Sequence, residues 1–466
     1  MSQTVNDEKN SAPNPEVKKS TRPSLRRISA FVGVSLGGLV LAVAVLILVF
    51  GDAILNSYGI SKAERAFAEA HPGSVLRIGE LKYVVGANRL VAQSVNLSDS
   101  NTIFRVERVS LTGVRWTRFL AGTAVLADVL ARSSLEATNI DVQFPQAQYS
   151  IHCARLRGSV PGAELLAEGT ELRPLVADEL FFAAHDFRTT RFHVIVPECR
   201  VLGLAYGELL QGKSYRARSV QLSQPSLDAL VDREKKVDPL EKPPLMVNEA
   251  LAAIRQPLQL DSLSITNGSL KYCERLVAGA EPGVLIISAV NLSAEDIANR
   301  APAPAVIQLQ GQGQLMNAGT MKLVMSIPIT PTGFSLHYSG SLGAMDLTRL
   351  DPFLDIAEHT RLMSGTVQQA AFEIDVTAGQ ARGHVLARYG NLSIAMLDKQ
   401  TGTKEGIDNR VVSFLANELK IRSTNAPDAA GLMKQGEVKY TRKPGDEFQQ
   451  FAWFALRTGI LDIISH

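Results

Sequence analysis

The uncharged run from Ile28 to Gly51, ISAFVGVSLGGLVLAVAVLILVFG, constrains this chain more than any other feature. About 20 apolar residues suffice for a helix to cross a bilayer core, so segment 28–51 is expected to span a membrane. A cleavable signal peptide would carry an apolar region of about 7 to 15 residues with a small-residue cleavage site behind it. The following DAILNSYG offers no such site, and the span is read as an uncleaved anchor. Lys18, Lys19, Arg22, Arg26 and Arg27 precede it, against Lys62 and Arg65 after it. The positive-inside rule then leaves residues 1–27 as a basic cytoplasmic tail and puts everything from 52 onward on the far side.

Past the anchor the period changes. Ile60 to Ala70 reads as a short amphipathic helix. From Ser74 onward, runs such as LRIGELKYVV, LVAQSVNLSDS, FRVERVSLTGVRW and LEATNIDVQF place an apolar residue at every second position between polar or Gly turns, as antiparallel strands do. Charges cluster with Pro239, Pro243 and Pro244 in Val231 to Val247, where no apolar period survives. Segment 231–257, with a short helix over Asn248 to Arg255, is thus a linker between two β-rich regions, 52–230 and 258–445. Asn267-Gly268 is a two-residue hairpin signal within the second.

Alternation is clearest beyond Pro304. Ile307, Leu309, Gly311, Gly313 and Leu315 share one face, and Gln308, Gln310, Gln312 and Gln314 the other. Met321, Leu323, Met325, Ile327 and Ile329 repeat the arrangement, as do Phe334, Leu336 and Tyr338, then Phe372, Ile374 and Val376. SVNLSDS, AVNLSAED and GNLSIAM are weakly alike without fixing a repeat. Segment 446–466 holds a terminal helix, apolar nearly all round, which the body's own sheet or a bilayer surface must cover. The fold class is mainly β: an extended antiparallel sheet curled into a groove or open barrel, with an N-terminal transmembrane helix and a short C-terminal one. At about 12 residues per strand and turn, the body would hold some 30 strands and reach about 150 Å in one sheet.

Chemistry-bearing motifs are missing. The histidines are scattered, no HExxH or phosphate loop occurs, and Gly311 and Gly313 lie in an alternating strand where Gly marks a bulge or close packing. Neither catalysis, metal nor cofactor is called for. With 48 Lys and Arg against 46 Asp and Glu, the net charge of +2 recommends no nucleic acid. Cys153, Cys199 and Cys273 have no redox or metal spacing and read most simply as small buried apolar residues rather than a bridge.

Several segments resemble the AsmA-like family of bacterial envelope proteins, which is related in design to bridge-like lipid-transfer proteins. They are RARSVQLSQPSLDALVDREKK, LDSLSITNGSLKYCER, YGNLSIAMLDKQTG, NRVVSFLANELKIRSTNAP and GEVKYTRKPGDEFQQFAWFALRTGILDII. That resemblance carries no catalytic residues. It implies an inner-membrane protein with a periplasmic body whose apolar β-groove shelters or transfers phospholipids in support of outer-membrane lipid homeostasis. The groove would be lined by Ile307, Leu309, Leu315, Leu323, Met325, Ile327, Phe334 and Leu336, and its partners would be the membrane and phospholipid acyl chains. The alternative is a non-catalytic periplasmic scaffold or assembly factor for envelope proteins, its apolar face a closed core.

Overall fold

The computed structural model describes residues 60–465, apart from 62, 63, 66, 70, 72, 116–125, 239–242, 301–304, 330–332 and 398–420. The tail 1–27 and the expected span 28–51 lie outside the described residues; among those, no helix is long and apolar enough to cross a membrane.

Eighteen strands form one mixed sheet. β1 (Val75–Val84), β2 (Arg89–Ser98), β3 (Ile103–Thr112), β4 (Ser134–Phe144), β5 (Tyr149–Ser159), β6 (Glu164–Pro174) and β7 (Thr190–Leu202) each run antiparallel to the one before. β8 (Tyr215–Ser223) and β9 (Ser226–Asp232) both pair with β7, and both lie parallel to β10 (Leu258–Arg275). Antiparallel pairing resumes with β11 (Gly283–Ala298), β12 (Val306–Leu315), β13 (Gly319–Pro328) and β14 (Leu336–Leu342). β14 and the short β15 (Met345–Asp346) share a place beside β16 (Thr360–Thr377), and β17 (Gln380–Met396) and β18 (Gln435–Thr441) complete the order.

Three expectations need correction. First, the sheet is not wholly antiparallel. Parallel neighbours require the chain to cross from one end of the sheet to the other, and the segment between Asp232 and Leu258 is that crossover. The two halves are thereby stitched into one sheet, and Val231 and Asp232, read as linker, finish β9 and are each 1% exposed. Second, Asn267-Gly268 makes no hairpin. It sits inside β10, where Asn267 takes φ +52 as a bulge between the part of the strand on β8 and the part on β9. Asn tolerates the left-handed conformation that either a turn or a bulge needs, and the signal alone does not separate them. Third, strands are longer than assumed, up to 18 residues. With β8 and β9 sharing a place, as do β14 and β15, the sheet is about sixteen strands across, roughly 70 Å rather than 150.

Besides the helical residues around Phe67, the described residues form six α-helices: α1 (Leu126–Leu130), α2 (Asp178–Ala183), α3 (Tyr206–Leu210), α4 (Val247–Ala252), α5 (Asp351–Ala357) and α6 (Phe448–Ile464). They and the helical residues around Phe67, in the segment read from the sequence as a short helix, divide the apolar face into two buried clusters. One gathers inner residues of β1–β5 with Phe67, Val129, Phe181, Phe182, Leu230 of β9 and Cys273 of β10, and the other gathers β12–β18 with Met246, Phe451, Ala455 and Ile463. α6 therefore packs on the sheet itself, burying Phe451, Ala455, Gly459 and Ile463 at a four-residue interval. Its approach is close because two glycines face each other: a Cβ on Gly436 would stand 1.9 Å from the Gly459 carbonyl oxygen.

Candidate functional site

Strand register allows the apolar face to be followed from one edge of the sheet to the other. Directly paired residues point to the same side. Starting at Tyr83 on β1, the partners run Leu90, Leu111, Leu135, Gly158, Leu165, Val201 and Val220 as far as β8. They continue through Leu263, Ala294, Leu309, Met325, Tyr338, Ile374 and Gly383 to Val438 on β18. A second row two residues away, from Leu81 through Cys199, Leu222, Ile265, Leu292 and Leu323 to Gly436, is as apolar. The row between them, on the opposite face, includes Lys82, Glu136, Arg157, Arg200, Gln221, Gln310, Glu373 and Glu437. One face is thus continuously apolar, and the other is mostly polar, interrupted by Val91, Leu166 and Val324.

Burial divides this apolar stripe into three. In β1–β5 it is closed, with Leu90 3%, Leu111 5% and Ala137 0% exposed. Toward the C-terminal edge it is closed again, with Met325 6%, Ile374 0% and Val438 0%. Between them, along these rows from β6 to β13, Leu165, Val201, Val220, Leu222, Leu263, Ile265, Leu292, Leu309 and Leu323 are half-buried while Ala294 is buried, and farther along β9 and β10 Leu230 and Cys273 join the first cluster. That middle stretch covers about seven strands, roughly 30 Å, which equals the thickness of a bilayer's hydrocarbon core.

The eight residues proposed to line a groove all fall on this face but divide by accessibility. Ile307, Met325, Ile327, Phe334 and Leu336 are buried in the C-terminal cluster, where Phe334 packs edge-on against Phe451 of α6. Leu309, Leu315 and Leu323 are half-buried and border the open middle. Most of the open surface comes instead from β6, β7, β8, β10 and β11, none of which supplies any of the eight residues.

The reason lies in the register. In β1–β7 every ladder skips one residue on each strand, at Gly79, Ser94, Glu107, Asn139, Ala154, Gly169 and Pro197 in turn. Ser94, Asn139 and Gly169, on alternate strands, carry the left-handed φ values of +51, +48 and +62. Inner residues therefore fall at intervals of two, three and two, as in Leu135, Ala137, Ile140 and Val142, rather than at every second position. That corrects the reading of these runs as simple alternation. An interval of three shared by successive runs was the signal that could have found it.

Polar chemistry on the stripe is sparse. Burial, with a smaller effect from Cys153, pushes the Cys199 thiol up, which disfavours the thiolate. All three cysteines are free. Cys153 and Cys199 flank β6 opposite Thr170 and Ala167, so their Cα atoms stand at least two strand spacings apart, about 10 Å or more, beyond the reach of a disulfide. Charges concentrate where the halves join. Arg275, 3% exposed, bonds Asp232 at 2.9 Å and also Glu179; Arg191 bonds Asp228 at 2.8 Å and Asp178 at 3.1 Å; Arg233 bonds Glu274 at 2.7 Å. These acids and bases pair with one another and tie α2, β7, β9 and β10 together. His152, His193 and His337 each pair with one carboxylate, and among the described residues no group of three or more His, Cys, Asp or Glu side chains could hold a metal.

No known family model matches this chain, and no characterised protein is significantly similar to it.

Proposed function

We propose that the chain is a membrane-anchored, non-catalytic protein of AsmA-like type, whose body lies in the periplasm and shelters or transfers phospholipids along an apolar β-groove to support outer-membrane lipid homeostasis. The observation that carries the reading is the half-buried middle of the apolar stripe, β6 to β13, bounded on both sides by filled cores. An acyl chain laid along it gains about 0.8 kcal/mol per methylene removed from water, and the charged opposite face keeps the sheet soluble. The occupied part of the groove is the middle, not the C-terminal end where Met325 and Leu336 are sealed. The sheet's width of roughly 70 Å suits a carrier or one section of a longer path.

The closed clusters favour the second reading, a scaffold for envelope proteins, wherever the face is filled by the protein's own side chains. Site-specific photo-crosslinking separates the two. Probes at Leu222, Leu263, Leu309 and Leu323 in the full-length protein in its own membrane are expected to capture phospholipid, and probes at Gln310, Met325 and Leu336 to capture none. Folded protein that yields no lipid adduct at any of the first four positions rules out the groove and leaves the scaffold.

A further inference from the structure

A cavity of about 240 Å³ lies at the border of the open stretch, beneath α4 at the ends of β11, β12 and β13. Leu251, Ala252, Ile307, Ile327 and Ile329 give it apolar walls. An apolar cavity of about 150 Å³ takes up benzene, and by the same volume per carbon this one admits an aliphatic chain of about nine or ten carbons.

One wall is different. Asn248, 6% exposed, donates its side-chain amide to the Gly333 carbonyl at 2.9 Å, but its Oδ1 finds no donor among the described residues. Asn299 beside it is satisfied at every side-chain polar group, accepting from the Leu258 amide and donating to Ile254 and Gln256. The guanidinium of Arg300 is engaged by the Arg255 carbonyl. A buried acceptor left without a donor is costly in a native protein, and in a cavity it is met by whatever occupies the space.

We propose that this cavity is a binding site for a medium-length aliphatic chain carrying one hydrogen-bond donor, a hydroxylated chain rather than a plain one, with the donor on Asn248 Oδ1. A plain hydrocarbon chain fills the volume but leaves the acceptor unmet; a hydroxylated one meets both demands. The site borders the stripe, its Ile307 two residues along β12 from Leu309, but it stands whether or not that stripe carries phospholipid.

The test uses two isomers of equal size, 1-decanol, which has a donor, and methyl nonyl ether, which has none. Each is titrated into the full-length protein in nanodiscs and read by native mass spectrometry, with empty nanodiscs correcting for partition. Decanol is expected to bind about tenfold more tightly than the ether, the order of one buried hydrogen bond. Asn248→Leu is expected to bring the two to parity, and Leu251→Phe, which fills the cavity, to weaken both. Equal binding of the isomers to the wild-type protein overturns the proposal, as does a decanol preference that survives in Asn248→Leu or is untouched by Leu251→Phe. If Asn248→Leu does not accumulate, the wild-type ratio and the Leu251→Phe result decide. Lipid adducts at Leu222 and Leu263 without any decanol preference would leave the groove reading standing and remove only this site.

Discussion

Asn96 and Asn291 perform the same task in strands far apart in the chain. Each donates its side-chain amide to the carbonyl two residues earlier, at 3.2 Å to Ser94 and 3.1 Å to Ala289, and those earlier residues take φ +51 and +49. A left-handed residue inserts an extra position into a strand and frees a carbonyl, which the Asn then satisfies. The likeness of SVNLS to AVNLS was legible in the sequence, but its meaning was not, because neither Ser nor Ala favours that conformation. In GNLS the Asn itself, Asn391, is the left-handed residue, so the third copy is not equivalent. The charged junction was equally hidden, since its members are scattered from Asp178 to Arg275. Within it, burial pushes the Asp228 carboxyl up, but Lys271 at 3.1 Å and Arg191 at 2.8 Å outweigh burial and hold it below the ordinary 3.8. A depressed carboxylate contributes stability that is complete above the unfolded value and lost as pH falls through the folded one. With Asp228 26% exposed, Asp228→Asn is expected to cost about 1 to 2 kcal/mol at neutral pH. Urea titrations should find that gap flat above about pH 5 and closing as the pH drops below the ordinary value. A gap that widens in acid would contradict the assignment.

Elements at the ends of the sheet do more than cover the core. An edge strand offers unpaired N–H groups to any other strand. On β18, Glu437 N donates to Asp462 Oδ2 at 2.8 Å and Lys439 N to Thr458 Oγ1 at 3.1 Å, so side chains of α6 take the donors of that edge. At the opposite edge Ile78 N donates to Glu64 Oε1 at 3.0 Å. Replacing Asp462 by Ala and Thr458 by Val together should free the β18 edge and drive self-association, read as added mass in light scattering; a variant with the wild-type mass would mean the edge is protected by something else. The seat of α6 also depends on the Gly436 contact. Gly436→Ala has no room for its methyl and should destabilise by about 3 kcal/mol or more. Gly207→Ala, where an added Cβ meets nothing within 4 Å, should be nearly neutral. Strands β12 and β13 were legible because their runs kept one period through an unbroken ladder, and helix α6 because its apolar run is of helix length. The pairing of β10 with β8 and β9 was not, since a parallel crossover depends on where the chain returns and leaves no local mark.

At the scale of the whole molecule, a single apolar stripe is filled at both ends and half-open in the middle, and that division yields opposite forecasts for the same chemical change. A carboxylate placed where the stripe is closed has no water and no partner, so it costs several kcal/mol in the folded state and unfolds the body. Placed where the stripe is half-exposed, the same carboxylate turns toward solvent at small cost and leaves the fold intact. Ile374→Glu, at a position 0% exposed, is therefore expected to lower the protein's abundance steeply. Leu263→Glu lies in the same cross-strand row, with Ala294, Leu309, Met325 and Tyr338 between the two positions, and is expected to leave abundance and melting temperature near wild type. If acyl chains pass over Leu263, that variant puts an ion in their path, and lipid capture by a crosslinker at Leu309 should fall even though the protein is folded and present. The envelope should then leak, measured as entry of an outer-membrane-impermeant dye, as it would in cells without the protein. A scaffold with a closed core predicts the reverse pairing, in which any loss of envelope integrity in Leu263→Glu follows the loss of the protein itself. Abundance by immunoblot and dye entry, measured together on the two variants, therefore distinguish a path for lipid from a filled core.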